Sequence, residues 1–109
     1  MAAELGHRKQ VAAAAMKIRW TKRAIRSLTS IHEYISKDSP AAAARVSAAV
    51  VDATDQLAKF PQSGRPGRID GTRELVVSGL PYVIPYRVVD DVVVILSVIH
   101  GSRKWPKKL

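Results

Sequence analysis

Cysteine is absent from the 109 residues. That excludes disulfides and thiolate metal sites, and nothing calls for an oxidising compartment. Acidic residues are scarce: 9 Asp and Glu stand against 18 Lys and Arg, a formal net charge of +9. They are scattered as well as few, which argues against a paired-carboxylate mechanism. Only three histidines occur, at positions 7, 32 and 100, and they match no metal-ligand spacing. No apolar run approaches the roughly 18 residues that span a membrane. Nor does Met1 to Ala15 resemble a secretion signal, because His7-Arg8-Lys9-Gln10 divides its short apolar pieces. A cytoplasmic protein without metal or cofactor is expected. Glycine-rich phosphate loops, Gly-x-Ser-x-Gly elbows and His-Glu-x-x-His helices are also missing.

What remains is enough apolar sequence for one modest core and a strong positive charge. The length suits a single domain. The charge points to acidic partners such as nucleic acid, a nucleic-acid-bound machine or an acidic protein. Residues 1–15 have no apolar periodicity and read as a flexible extension, with Met16 an alternative start and the domain proper over 16–109.

Lys17-Ile18-Arg19-Trp20 alternates polar and apolar, the period of a half-buried strand. Thr21 fits a helix N-cap. Ile25, Leu28, Ile31 and Ile35 then form one apolar stripe on a helix of about sixteen residues. Lys22, Arg23 and Arg26 stand in its first turns, where positive charge is unfavourable unless those side chains serve a partner. Ser39-Pro40 breaks this helix and starts another. Val46, Ala49, Val50, Ala53, Leu57 and Phe60 predict its buried face, and the short link makes the pair an antiparallel hairpin. Pro61 to Arg68 reads as loop.

Three β-rich runs come next: Arg73–Val77, Tyr82–Val89 and Val92–Ile99, with Asp90-Asp91 as a hairpin link. The last run is apolar almost throughout, as expected of a central strand. Pro85 cannot donate to a ladder, so it demands a bulge or an amide facing away from its neighbour. The candidates for chemistry are therefore basic and aromatic: Arg65, Arg68, Arg73, Arg87, His100, Arg103, Lys104 and Trp105. Arg73 and Arg87 can equally pair with Glu74, Asp90 or Asp91. Trp105 either packs on the helix hairpin or anchors the tail in a partner.

Several strings occur together and in order. They are Leu57-Ala58-Lys59-Phe60-Pro61, Gly64-Arg65-Pro66-Gly67-Arg68, Gly71-Thr72-Arg73-Glu74-Leu75, Tyr82-Val83-Ile84-Pro85-Tyr86-Arg87-Val88 and His100-Gly101-Ser102-Arg103-Lys104-Trp105-Pro106. Over residues 17–106 the chain resembles the RelE/ParE superfamily of toxins from type II toxin–antitoxin, or plasmid-stabilisation, modules. The resemblance implies an α+β fold of order β-α-α-β-β-β, a helical hairpin on a mainly antiparallel sheet. It also implies a cognate antitoxin whose C-terminal segment neutralises the toxin, and an acidic one would suit this basic chain.

RelE-like members cut messenger RNA on the ribosome, and ParE-like members poison DNA gyrase. The family's nuclease positions fall near Glu74, Val76 and Val83, none of them basic, so the resemblance favours the ParE-like branch. The candidate target contacts are then Lys22, Arg23 and Arg26 with the tail residues Arg103, Lys104, Trp105, Lys107 and Lys108. In the alternative, a ribosome-dependent endoribonuclease, Arg73, Arg87 and Arg103 would hold the phosphate and His100 would move the proton.

Overall fold

The computed structural model describes residues 15–109. The expectation for 1–15 therefore lies, Ala15 apart, outside the described residues. In chain order the elements are β1 (Lys17–Trp20), α1 (Lys22–Ser36), α2 (Pro40–Gln56), β2 (Arg65–Pro66), β3 (Arg73–Val76), β4 (Tyr82–Val89), β5 (Val92–Ile95) and β6 (Ile99–His100). The strands form one sheet in the order β1-β5-β4-β3-β2, and β6 pairs with β4. All pairs are antiparallel except β1 with β5, which run parallel from Lys17 beside Val92 to Trp20 beside Ile95. No helix of the described residues is long and apolar enough to cross a membrane.

Both helices start where their side-chain chemistry says they should. The Thr21 hydroxyl accepts from the Ala24 amide, and the Ser39 hydroxyl from the Ala42 amide with Pro40 at the first helical position. The hairpin lies on one sheet face. There Ala24, Val50 and Leu57 meet Ile84, Tyr86, Val93 and Ile95, with Leu28 and Ile31 packed against them. Two expected stripe members are not inside. Ile25 is 53% exposed and Phe60 58% exposed. On α1 the neighbouring Ala24 takes the innermost position, because a small side chain lets the helix approach the sheet closely.

The last β run is not one strand. Ile95 pairs with Tyr86 and Ile99 with Val83, so three residues, Leu96 to Val98, face two on β4. This is a β-bulge, and it falls opposite Pro85. The Leu96 amide donates to the Pro85 carbonyl (2.9 Å). A residue's N–H and C=O point to the same side of a strand, so the missing Pro85 donor also faces the interrupted ladder. The bulge that proline demands is thus supplied by the facing strand. The 61–68 segment, expected to be all loop, contributes Arg65–Pro66 as an edge strand beside β3.

The loop before β2 is held from within. The Gly64 amide donates to the Tyr86 hydroxyl (2.9 Å), which itself donates to the Pro61 carbonyl (2.8 Å). Gly64 has no room for a side chain, since a Cβ there would sit 2.6 Å from the Tyr86 ring and hydroxyl. Burial raises the Tyr86 pKa, with the Gly64 amide and the Arg73 charge opposing it. Tyr86→Phe leaves the buried Gly64 amide and the part-buried Pro61 carbonyl unmatched. It should lower stability by about 1–3 kcal/mol in chemical denaturation. Wild-type stability should also fall as pH rises above the ordinary tyrosine value of 10.0, and the variant should lack this contribution.

Candidate functional site

A cleft of about 550 Å³ opens between α1, the bulge with β6, and the C-terminal tail. Its walls follow from local chemistry. The Thr21 hydroxyl that caps α1 also donates to the Leu96 carbonyl (3.2 Å), and Ser27 and Ser97 join hydroxyl to hydroxyl at 3.0 Å. These bonds fix α1 along the bulge. The tail turns where the Gly101 amide donates to the Pro81 carbonyl (2.7 Å) and the Arg103 amide to the His100 carbonyl (2.9 Å). It returns to α1 where Arg23 Nη1 donates to the Lys108 carbonyl (3.0 Å).

The cleft chemistry is one-sided. Arg23, Arg103 and Lys104 line it together with His100, and among the described residues no acid does. Low-dielectric walls next to charges of one sign focus the field on an anionic partner. Ile31, Val98 and Ile99 supply an apolar floor, while Tyr82 and the 73% exposed Tyr34 add aromatic surface.

His100 is oriented by its neighbours. Its Nδ1 faces the Ser102 amide (3.2 Å) and hydroxyl (2.8 Å), and its ring meets Tyr82 edge to face at 5.6 Å. An amide can only donate, so Nδ1 is the acceptor and the neutral ring carries its proton on Nε2. In that tautomer Nδ1 is already taken up by the Ser102 amide.

The second sheet face carries a different arrangement. Cross-strand pairing puts Glu74 beside Pro85 and Val76 beside Val83, all turned away from the helices. The three positions where the superfamily resemblance places nuclease groups therefore share one surface. Glu74 is only 3% exposed. Its Oε1 accepts from Arg65 Nε (3.2 Å) and Nη2 (3.0 Å), and its Oε2 from the Arg68 amide (2.8 Å) and Nε (3.1 Å). Arg68 in turn lies over the Trp105 ring, 3.7 Å from guanidinium carbon to ring centroid. Trp105 thus packs against the 65–68 segment through Arg68.

The expected residues are divided between two places. Arg23, His100, Arg103 and Lys104 meet in the cleft. Arg73 and Arg87 line a separate depression, so the cluster Arg73, Arg87, His100 and Arg103 is not assembled around one point. Nor do Arg73 and Arg87 form ion pairs with Glu74, Asp90 or Asp91. Arg73 donates to the Gly64 and Gln62 carbonyls, and Arg87 to that of Asp70. Lys22, Arg26, Lys107 and Lys108 are exposed and do not line the cleft. Sequence reasoning missed Tyr34 and Ser27, which stand off the apolar stripe of α1. Their only signal is their spacing, since both share the helix face of Arg23, Ser30 and Ile31.

Burial pushes the Glu74 carboxyl up, but hydrogen bonds from Arg68 and Arg65, with the Arg68 charge behind them, outweigh it. The carboxyl is held below its ordinary value of 4.5. A depressed carboxyl stabilises the fold at pH values above its unfolded pKa, and that contribution is lost as pH falls through the folded value. Glu74→Gln should therefore be less stable than wild type at pH 7. The gap should close below pH 4.5 in acid unfolding followed by circular dichroism.

The family model described as ParE toxin of type II toxin-antitoxin system, parDE, matches residues 18–105. The chain is 56% identical to the protein Y4kP of Sinorhizobium fredii over 93 residues, covering 85% of this chain and 96% of that one. It is 44% identical to Toxin RelE2 of Caulobacter vibrioides over 84 residues, covering 77% and 93%. Among solved structures, the chromosomal ParDE system of P. aeruginosa aligns with a TM-score of 0.73 at 26% identity, over 80% of this chain and 97% of that one. The RelBE2 toxin–antitoxin complex of Mycobacterium tuberculosis aligns at 0.56 and 32% identity, over 79% and 98%. The two helices on a mixed, mostly antiparallel sheet are the architecture these toxins share. This chain belongs to the ParE toxin family of the RelE/ParE superfamily, the toxins of type II toxin–antitoxin systems.

Proposed function

We propose that this toxin acts in the cytoplasm by binding and inhibiting DNA gyrase rather than by cutting RNA, and that the cleft and tail are its target contacts. The observation that carries this reading is the cleft itself. Among the described residues it gathers Arg23, Arg103 and Lys104 without an acid, and the Nδ1 of its histidine is already taken up by the Ser102 amide. Cutting a phosphodiester without a metal needs a proton acceptor and several cations around one phosphate. On the second face Glu74 occupies Arg65 and Arg68 where nuclease relatives of the superfamily would need free cations. The match to the ParE family model supports the same reading. A cognate antitoxin is the natural counterpart, since both structural neighbours come from toxin–antitoxin systems. Its surface should be acidic, to meet a chain of net charge +9.

The test is supercoiling of relaxed plasmid by gyrase with the purified toxin titrated in. Inhibition with trapped, cleaved DNA, reversed by the antitoxin, is expected. Replacing Arg103 and Lys104 together by Ala should weaken inhibition about tenfold or more, the scale of losing charge-assisted contacts. The thermal midpoint should stay unchanged, because both residues are exposed. Full supercoiling at high toxin excess would sink the gyrase reading.

A second reading, ribosome-dependent cleavage of messenger RNA, draws on His100 and Arg103 sharing the cleft and on the relative named RelE2. It requires His100→Ala to abolish growth inhibition while antitoxin binding persists. Binding to gyrase through the cations predicts that this variant stays toxic.

A further inference from the structure

Away from the cleft, a depression of about 290 Å³ lies at the sheet edge, between the 62–72 segment and the end of β4. Arg73 and Arg87 line it with Gln62, Gly71 and Thr72, and among the described residues no acid does. Neither arginine is fully buried or fully exposed. Arg73 pairs with Tyr86 across the β3–β4 ladder, so Arg73 and Arg87 leave the sheet from opposite faces and flank the same hollow. Both guanidinium groups are set in place from the backbone. Arg73 Nη1 donates to the Gly64 (2.6 Å) and Gln62 (3.3 Å) carbonyls, and Arg87 Nη1 sits 3.4 Å from the Asp70 carbonyl. Among the described residues each is tied through Nη1 alone, with Nε and Nη2 of both forks still available as donors.

Gly71 keeps this arrangement open. Its φ is +78°, and a Cβ there would lie 2.8 Å from Arg87 Nη1. Any side chain would strain the backbone and displace the guanidinium.

We propose that this depression is a phosphate-binding site, with Arg73 and Arg87 gripping one phosphate group between them. Two like charges flanking a partly desolvated hollow repel each other, and an oxyanion placed between them relieves that repulsion. A carboxylate balances one guanidinium and presents two coplanar oxygens. A phosphate offers oxygens in tetrahedral directions and can answer two forks arriving from opposite faces of a sheet. Because carbonyl anchors already hold the forks, little side-chain freedom remains to be lost on binding. The phosphate is either free or part of a nucleic-acid backbone. The site is independent of the gyrase reading, because none of its residues lines the cleft.

The experiment is calorimetric titration of the full-length toxin with three probes: inorganic phosphate, a short single-stranded oligonucleotide, and a glutamate-rich peptide of matched charge. Saturable phosphate binding is expected. It should weaken about tenfold or more in Arg87→Gln and in Gly71→Ala, and stay unchanged in Arg103→Ala. Phosphate should also raise the thermal midpoint of wild type but not of Arg87→Gln, which separates lost binding from lost folding. If Arg87→Gln weakens the oligonucleotide too, the phosphate is that of a nucleic-acid backbone. If only inorganic phosphate responds, the ligand is a small phosphate. Phosphate binding equal in wild type and Arg87→Gln would overturn the site, as would Arg87-dependent binding of the peptide alone.

Discussion

The interruption opposite Pro85 governs the working half of this molecule. A proline within a central strand leaves one ladder position without a donor, and the facing strand answers by carrying one extra residue. That extra residue bends the chain after Ile95 and redirects the segment from Leu96 onward. Leu96 can then offer its carbonyl to the α1 cap and Ser97 its hydroxyl to Ser27. Without the bulge, His100 would lie on the opposite sheet face, because a one-residue slip inverts every later side chain. The cleft, the edge-to-face contact of His100 with Tyr82, and the turn into the basic tail all depend on this one register shift.

Charge is distributed with equal consequence. Of a large excess of cations, two arginines are gathered onto the buried carboxylate of Glu74, and one of these lies over Trp105. The second face is thereby quieted, while the cleft and the sheet-edge depression keep their cations unopposed by any lining acid among the described residues. An acid that looks, along the chain, like a flaw in a basic protein is an internal counter-ion. It fixes the β2–β3 edge and the seat of the tryptophan.

Much of the architecture is legible along the chain because it obeys local rules. Thr21 and Ser39 cap, Pro40 opens a helix, and Asp90, with φ of 55°, turns the hairpin. What is not legible depends on partners distant in sequence. Ile25 fits the helical period as well as its buried neighbours do, and only the approach of helix to sheet excludes it, while Phe60 continues a period that the chain abandons when α2 ends at Gln56. Val92 to Ile99 reads as one strand because its break originates in Pro85, on another strand. Arg73 and Arg87 look like partners of His100 when only residue types are compared. Their anchors are backbone carbonyls of a loop, which no side-chain pattern encodes. Arg103 and Lys104 are visible as a basic tail, yet their meeting with Arg23 requires the tail to fold back on α1.

The parallel pairing of β1 with β5 bears on when the fold can close. Lys17–Trp20 acquires its neighbour only once Val92–Ile95 has been made, and α1, directly after β1, is bonded to Leu96 and Ser97. Contacts so far apart in sequence cannot form on a partial chain. The cations of the tail come later still in synthesis. A chain made only as far as β4 therefore has neither a closed sheet nor a complete cleft.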